Sequence, residues 1–121
     1  MSKIVRIKEN HLFRRAYKKG KTLVSPYVAV YYMKNRTNNI RLGITAGKKI
    51  GGAVLRNRAK RLIRAAFISC LPNIPQGYDF IIVARMRILN VKSTVVAESL
   101  VKALKSAELY INSEKDENIT D

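Results

Sequence analysis

The sequence predicts one α+β domain in the order helix, two or three strands, helix, strand, helix. Three observations carry this. Residues 27–33 (YVAVYYM) and 78–84 (YDFIIVA) are β-branched and aromatic enough for strands. Apolar residues recur at helical spacing after Asn10, within 47–67 and from about Val91 to Ile111. Turn-forming stretches separate these segments, and no internal repeat or linker divides the 121 residues, a length that suits one domain with a buried core.

Taking the elements in order, Asn10 is placed to cap a short helix from His11 to about Lys19, with Gly20 as its stop. Leu12, Phe13, Ala16 and Tyr17 form its inward face, and Arg14, Arg15, Lys18 and Lys19 the other. Phe13 and Tyr17, four apart, are neighbours on the helix. Such a pair is most often core, and lining a groove is the alternative. A short strand is possible around Thr22 to Val24. Pro26 precedes the strand 27–33, whose alternation sets Tyr27, Ala29 and Tyr31 on one face and Val28, Val30 and Tyr32 on the other. After the turn NRTNN, Ile40 to Ala46 is expected to return as its antiparallel hairpin partner.

Residues 47–67, GKKIGGAVLRNRAKRLIRAAF, are a glycine-flanked lysine pair running into a helix. At about 100° per residue, Leu55, Ala59, Leu62, Ile63 and Ala66 gather into one apolar stripe. Arg56, Asn57, Lys60, Arg61 and Arg64 fill a neighbouring arc of about 140°, with Arg58 beyond it. Like charges at i and i+4 repel, and a merely solvated face usually mixes signs. This face holds no carboxylate, which points to an anionic partner. Lys48 and Lys49 stand just before the helix N-terminus, itself favourable to anions because its first N–H groups lack intrahelical acceptors. The order of a Walker A loop is absent.

Pro72 and Pro75 end this helix, and the IIV run of Tyr78 to Ala84 suggests a strand buried on both faces. The closing helix, Val91 to Ile111, is expected to start at a cap from Asn90 or Ser93 and to turn Ala97, Leu100, Val101, Leu104 and Ala107 inward. Its outer face, with Glu98, Lys102, Lys105 and Glu108, is mixed in charge.

Charge sets the class of partner. The chain carries 24 Lys and Arg against 8 Asp and Glu, a formal net charge of +16, beyond what solubility requires. Between Asn10 and Tyr78 lie fifteen basic residues and not one acid. The charge calls for a polyanion, which the aromatics narrow to RNA: residues 1–112 are expected to form a single RNA-binding domain and the acidic residues 113–121 a frayed tail. Self-contained catalysis is disfavoured: His11 is the one histidine, Cys70 has no histidine to act as its base, and Glu9 and Asp79 are too few and too far apart in sequence to argue a metal site. A lone cysteine gives no internal disulfide and fits a reducing, cytoplasmic setting. No apolar run reaches membrane-spanning length, and MSKIVRIKEN lacks the apolar stretch of a signal peptide. The aromatics Phe13, Tyr17 and Tyr31 could stack on unpaired bases, which favours single-stranded RNA over a double helix.

The run Lys48-Lys49-Ile50-Gly51, then Ala53-Val54, then Arg56-Asn57-Arg58-Ala59-Lys60-Arg61-Leu62-Ile63-Arg64 resembles the RNR signature of the bacterial ribonuclease P protein subunit. Phe13, Tyr17, Gly20, Tyr31 and Ala84-Arg85 are also similar to that family, and together the match covers about residues 8–110. The resemblance implies a two-layer αβββαβα sandwich with a left-handed βαβ crossover, against the general right-handed rule. It implies a protein that assists a catalytic RNA in magnesium-dependent removal of the 5′ leader from precursor tRNA and is itself inactive alone. Lys48, Arg56, Asn57, Arg58, Lys60, Arg61 and Arg64 would then face the catalytic RNA, and Phe13, Tyr17, Tyr31 and Lys49 would line the leader cleft. Metal contacts to the protein are left unassigned. Gly52 stands where the family commonly has asparagine, and Gly47 where a small hydroxyl residue is common. Two other classes compete with this reading: a small structural ribosomal protein, and, more weakly, a cationic membrane binder whose apolar stripe the core already claims.

Overall fold

In the computed structural model, which describes residues 4–111, the chain runs β1 (Ile4–Arg6), α1 (Asn10–Lys19), β2 (Lys21–Val24), β3 (Val28–Lys34), β4 (Ile40–Thr45), α2 (Ala53–Cys70), β5 (Tyr78–Ala84) and α3 (Ser93–Ser106). Short 3-10 turns at Lys48–Ile50, Leu71–Asn73 and Met86–Asn90 connect them. The acidic tail expected at 113–121 lies outside the described residues.

The apolar run of β5 dictates the sheet. Phe80, Ile81 and Ile82 are fully buried although neighbours in a strand point to opposite faces. Such a strand belongs in the middle, and the order is β1-β4-β5-β3-β2. β5 is parallel to β4 and antiparallel to β3. The expected 27–33/40–46 hairpin is therefore not formed: β3 and β4 are consecutive in sequence, but β5 inserts between them. The parallel β4–β5 pair needs a crossover, which α2 supplies. The predicted strand near Thr22 pairs antiparallel with β3, and the unpredicted β1 pairs in parallel with β4, giving βαβββαβα where the resemblance implied αβββαβα.

Both faces of the sheet are used. On one, α2 and α3 pack side by side over Val28, Val30, Leu42, Phe80 and Ile82, with Phe67 and Phe80 5.6 Å apart between ring centroids. On the other, α1 lies across part of the sheet, burying Ala16 with Ile7 and Ile81 against Leu12, Phe13, Tyr31, Met33 and Val83. Two glycines let α1 approach this closely. A Cβ on Gly20 would lie 2.5 Å from the Ala16 carbonyl oxygen and 3.0 Å from that of Tyr32, and one on Gly43 would lie 2.8 Å from the Phe13 ring.

Three local expectations are corrected. Asn10 is the first helical residue of α1, Glu9 holds the cap position, and no side chain caps it. α3 begins at Ser93 after Lys92 and ends at Ser106, because Met86–Asn90 forms its own turn. The buried stripe of α2 is Ala59, Ile63, Ala66, Phe67 and Cys70. Leu62 is half-buried, and Leu55, on the first turn of the helix, is 39% exposed.

Candidate nucleic-acid interface

The basic arc of α2 is where helical geometry places it. Asn57, Arg58, Lys60, Arg61 and Arg64 are exposed. Arg56 is half-buried, and its Nε donates to the Ala46 carbonyl at 2.9 Å, tying the first turn of the helix to the end of β4. No side chain caps α2 at Gly52, and Lys48 and Lys49 stand exposed on the preceding turn while Ile50 anchors it in the core. Gly51, at φ 137°, is the hinge of that turn, and a Cβ there would also lie 2.6 Å from Leu55 Cδ1.

The aromatic candidates meet across the sheet face that α1 covers. Phe13 and Tyr17 have ring centroids 6.5 Å apart, and Tyr17 stands edge-on to Tyr31 at 4.9 Å. Tyr17 is 43% exposed, so the cluster is open on one side. Lys49 is not part of it. With Gly47 and Lys48 it lines a separate concavity shared with Ile50, Val83, Arg85 and Met86. Val83 also packs against the cluster around Tyr31, which makes the two regions contiguous.

Several residues of this surface were not foreseen. Arg6 and Lys8, brought in by β1, line a concavity with Lys60 and Arg64 at the β1 edge, and Phe13 forms part of its wall. The Ile4-Val5 pair was the only sequence signal for that strand. Arg85 and Met86 owe their place to β5 lying beside β4. Asp79 is buried and held by Arg41, whose Nε lies 2.6 Å from Oδ1 and whose Nη2 lies 2.7 Å from Oδ2. The hydrogen bond to Asp79 raises the Arg41 pKa above its ordinary value against the opposing effect of burial. Cys70 is buried, and loss of hydration pushes its thiol pKa up, with a hydrogen bond to Ser69 acting the other way.

Among the described residues, no group of three or more His, Cys, Asp and Glu is placed to hold a metal ion, and no helix is long and apolar enough to cross a membrane. Glu9 faces His11 at 3.6 Å and Asp79 faces Arg41. A folded domain with an acid-free cationic helix, a lysine turn at its N-terminus and an open aromatic cluster belongs to the polyanion-binding proteins.

The comparisons with known proteins specify the polyanion. The family model described as Ribonuclease P matches residues 1–108. The ribonuclease P protein component of Caldanaerobacter subterraneus subsp. tengcongensis is 38% identical over 113 residues, covering 93% of this chain and 97% of that one. Among solved structures, the Staphylococcus aureus RNase P protein matches with a TM-score of 0.78 at 38% identity, covering 89% of this chain and 99% of that one. A mutant of the S. aureus protein, described as having defective mRNA degradation activity, matches at TM-score 0.77 and 38% identity over 87% of this chain and 89% of that one. The chain belongs to the ribonuclease P protein family. The known function of that family is tRNA 5′ maturation together with an RNA subunit, as part of an endoribonuclease ribonucleoprotein. The ribosomal-protein and membrane readings fall away.

Proposed function

We propose that this chain divides its two surfaces between two RNAs. Lys48, Arg56, Asn57, Arg58, Lys60, Arg61 and Arg64 hold the catalytic RNA, and Phe13, Tyr17, Tyr31 and Lys49 take the unpaired 5′ leader of precursor tRNA. The observation that carries the reading is the difference in chemistry between two adjoining surfaces, which meet where Phe13 shares a concavity with Lys60 and Arg64. A cationic arc without carboxylates suits the closely spaced phosphates of structured RNA, whereas an open aromatic cluster suits unstacked bases, each worth about 1–3 kcal/mol on an aromatic ring. Arg56 contributes as much by fixing the helix to Ala46 as by its charge.

Magnesium belongs to this proposal as the ion of the ribonucleoprotein. Among the described residues the donor set does not fit a site of its own, because the most buried carboxylate there, Asp79, is already occupied by Arg41 and Asn35. RNA phosphates are the better ligands for a hard cation that keeps most of its water, and the protein's part is to lower the charge those phosphates would otherwise leave for the ion to screen. A cytoplasmic setting fits the single free, buried thiol.

The test is precursor-tRNA processing with the cognate RNA at low magnesium, with and without the protein. The protein should restore 5′ cleavage there and cleave nothing without the RNA. Failure to restore it overturns the proposal. Since a solved mutant of the S. aureus protein is described as defective in mRNA degradation activity, the protein-alone control should include an mRNA.

A further inference from the structure

α1 divides the sheet face it covers into two regions. Phe13 and Tyr17 lie on one flank; Arg15, about 200° from each around the helix axis, lies on the other. There, where Met33, Asp79 and Arg41 pair across β3, β5 and β4, Arg15, Lys34, Asn35, Arg36, Thr37, Arg41 and Asp79 line a second basin.

Its charges are unbalanced. Asp79 is the only carboxylate lining it, with exposed Glu9 near enough to act on Arg41, and both Asp79 oxygens are taken: Oδ1 by Arg41 Nε and, at 2.9 Å, by Asn35 Nδ2, and Oδ2 by Arg41 Nη2. Arg41 and Asp79 cancel. Arg15, Lys34 and Arg36 remain exposed and form no ion pair among the described residues.

The loop carrying Arg36 is also held in one shape. Asn35 Oδ1 accepts from the Thr37 amide at 2.9 Å and the Thr37 hydroxyl at 2.8 Å, and Asn35 Nδ2 also donates to the Asn39 carbonyl at 3.3 Å. The Asn39 amide donates to Thr37 Oγ1 at 3.1 Å. The backbone amide of Asn35 donates to the Gly77 carbonyl and that of Gly77 to the Asn39 carbonyl, clasping the loop to the turn before β5. A rigid polar frame with three unpaired cations on its rim is built to receive an anion, and mutual repulsion of those cations is relieved when one binds.

The geometry points to this basin as a second RNA phosphate-binding site, with Arg15, Lys34 and Arg36 as its cations and Asn35, Arg41 and Asp79 as its frame. The inference rests on the family's RNA partner but not on the aromatic cleft. Lys34 is three residues from Tyr31, roughly 10 Å along β3, and α1 stands between. The RNA stretch held here is therefore distinct from the one stacked on Phe13, Tyr17 and Tyr31, and its phosphates come either from the catalytic RNA or from a leader that has crossed α1.

The experiment uses the full chain with Lys34→Ala/Arg36→Ala, measuring affinity against salt in two arms: catalytic RNA alone, and the assembled ribonucleoprotein with precursor tRNAs of graded leader length. The slope of log affinity against log salt should fall by about 1.4 to 1.8 for two lost phosphate contacts. A fall in the first arm assigns the phosphates to the catalytic RNA; a fall in the second that appears only with long leaders assigns them to the leader. Unchanged slopes in both arms overturn the site. So does an equal fall for Lys92→Ala/Lys102→Ala, which removes two exposed cations elsewhere and reports diffuse charge. Asn35→Ala keeps every charge while freeing the loop, and should weaken affinity several-fold in the same arm. Tyr31→Ala in the leader series tests the cleft separately, since its failure changes leader dependence without touching the basin's salt slope.

Discussion

At the scale of single residues, the surface separates charges that bind from charges that fold. Arg61 is exposed and unpaired among the described residues, so Arg61→Ala should not lower the melting temperature and should flatten the salt dependence of catalytic-RNA binding by about 0.7 to 0.9 in log units. An unaltered slope would remove Arg61 from the phosphate contacts. Asp79 is the opposite case. Its buried carboxylate satisfies Arg41 and braces Asn35, so Asp79→Ala strands a half-buried guanidinium and should destabilise the fold by about 3 kcal/mol, read from urea unfolding. Tyr31→Ala opens the aromatic cluster and should weaken precursor tRNA while sparing mature tRNA. Equal losses for both would return Tyr31 to a purely packing role. Cys70 adds a pH dependence. Its folded pKa is raised, mainly by burial, so its contribution to stability is complete below the ordinary thiol value of about 8.5 and is lost as pH climbs beyond it. Cys70→Ala should flatten that alkaline decline in melting temperature.

At the scale of elements, the segments were legible and their neighbours were not. The periodicity of β3, β4 and β5 placed each strand within a residue or two, because side-chain alternation is local. Strand order is a long-range choice, and the five residues between β3 and β4 made a hairpin the natural local answer. The correction was written in β5 all the same: a strand that buries Ile81 on one face and Ile82 on the other is central, and an edge position beyond a β3–β4 hairpin would have exposed it. β1 was missed because three residues carry too little pattern. The stripe of α2 was misjudged by one turn, since nothing local says where along an amphipathic helix its tertiary contacts begin: burial runs from Ala59 to Cys70. In the candidate site, the α2 arc and the Phe13–Tyr17 pair were readable from spacing and the grouping of Tyr31 with them in one cleft came from the family resemblance, while Arg6, Lys8, Arg85 and the Arg15–Lys34–Arg36 basin depend on that strand order. The two glycine departures also become interpretable: a Cβ at Gly47 or Gly52 meets nothing within 4 Å. Gly52 is the cap residue of α2, in extended conformation. Gly52→Asn should therefore be accommodated and stabilise the domain by a few tenths of a kcal/mol, measured as a small rise in the urea midpoint; a fall would show that the turn before α2 needs glycine at both of its last positions.

At the scale of the whole molecule, the same charges act on folding and binding with opposite signs. A chain of +16 is opposed by its own field when it folds, because compaction brings Arg56, Lys60 and Arg64 on α2 and Arg15, Lys34 and Arg36 across the sheet closer together than in the open chain. Added salt screens that repulsion, with a Debye length of about 30 Å at 0.01 M and about 8 Å at 0.15 M. Salt therefore stabilises the free protein. It weakens the complex, since each neutralised phosphate has already released its counterion and added salt drives the exchange back. The prediction is that the melting temperature of the free protein rises between 0.01 and 0.15 M monovalent salt while its affinity for RNA falls over the same range. Lys34→Ala/Arg36→Ala should shrink both trends together, raising stability at low salt while reducing the loss of affinity. A melting temperature that does not respond to salt would show that the cationic arcs lie too far apart to repel one another, and the acid-free face of α2 would then need an explanation other than compensation by bound RNA.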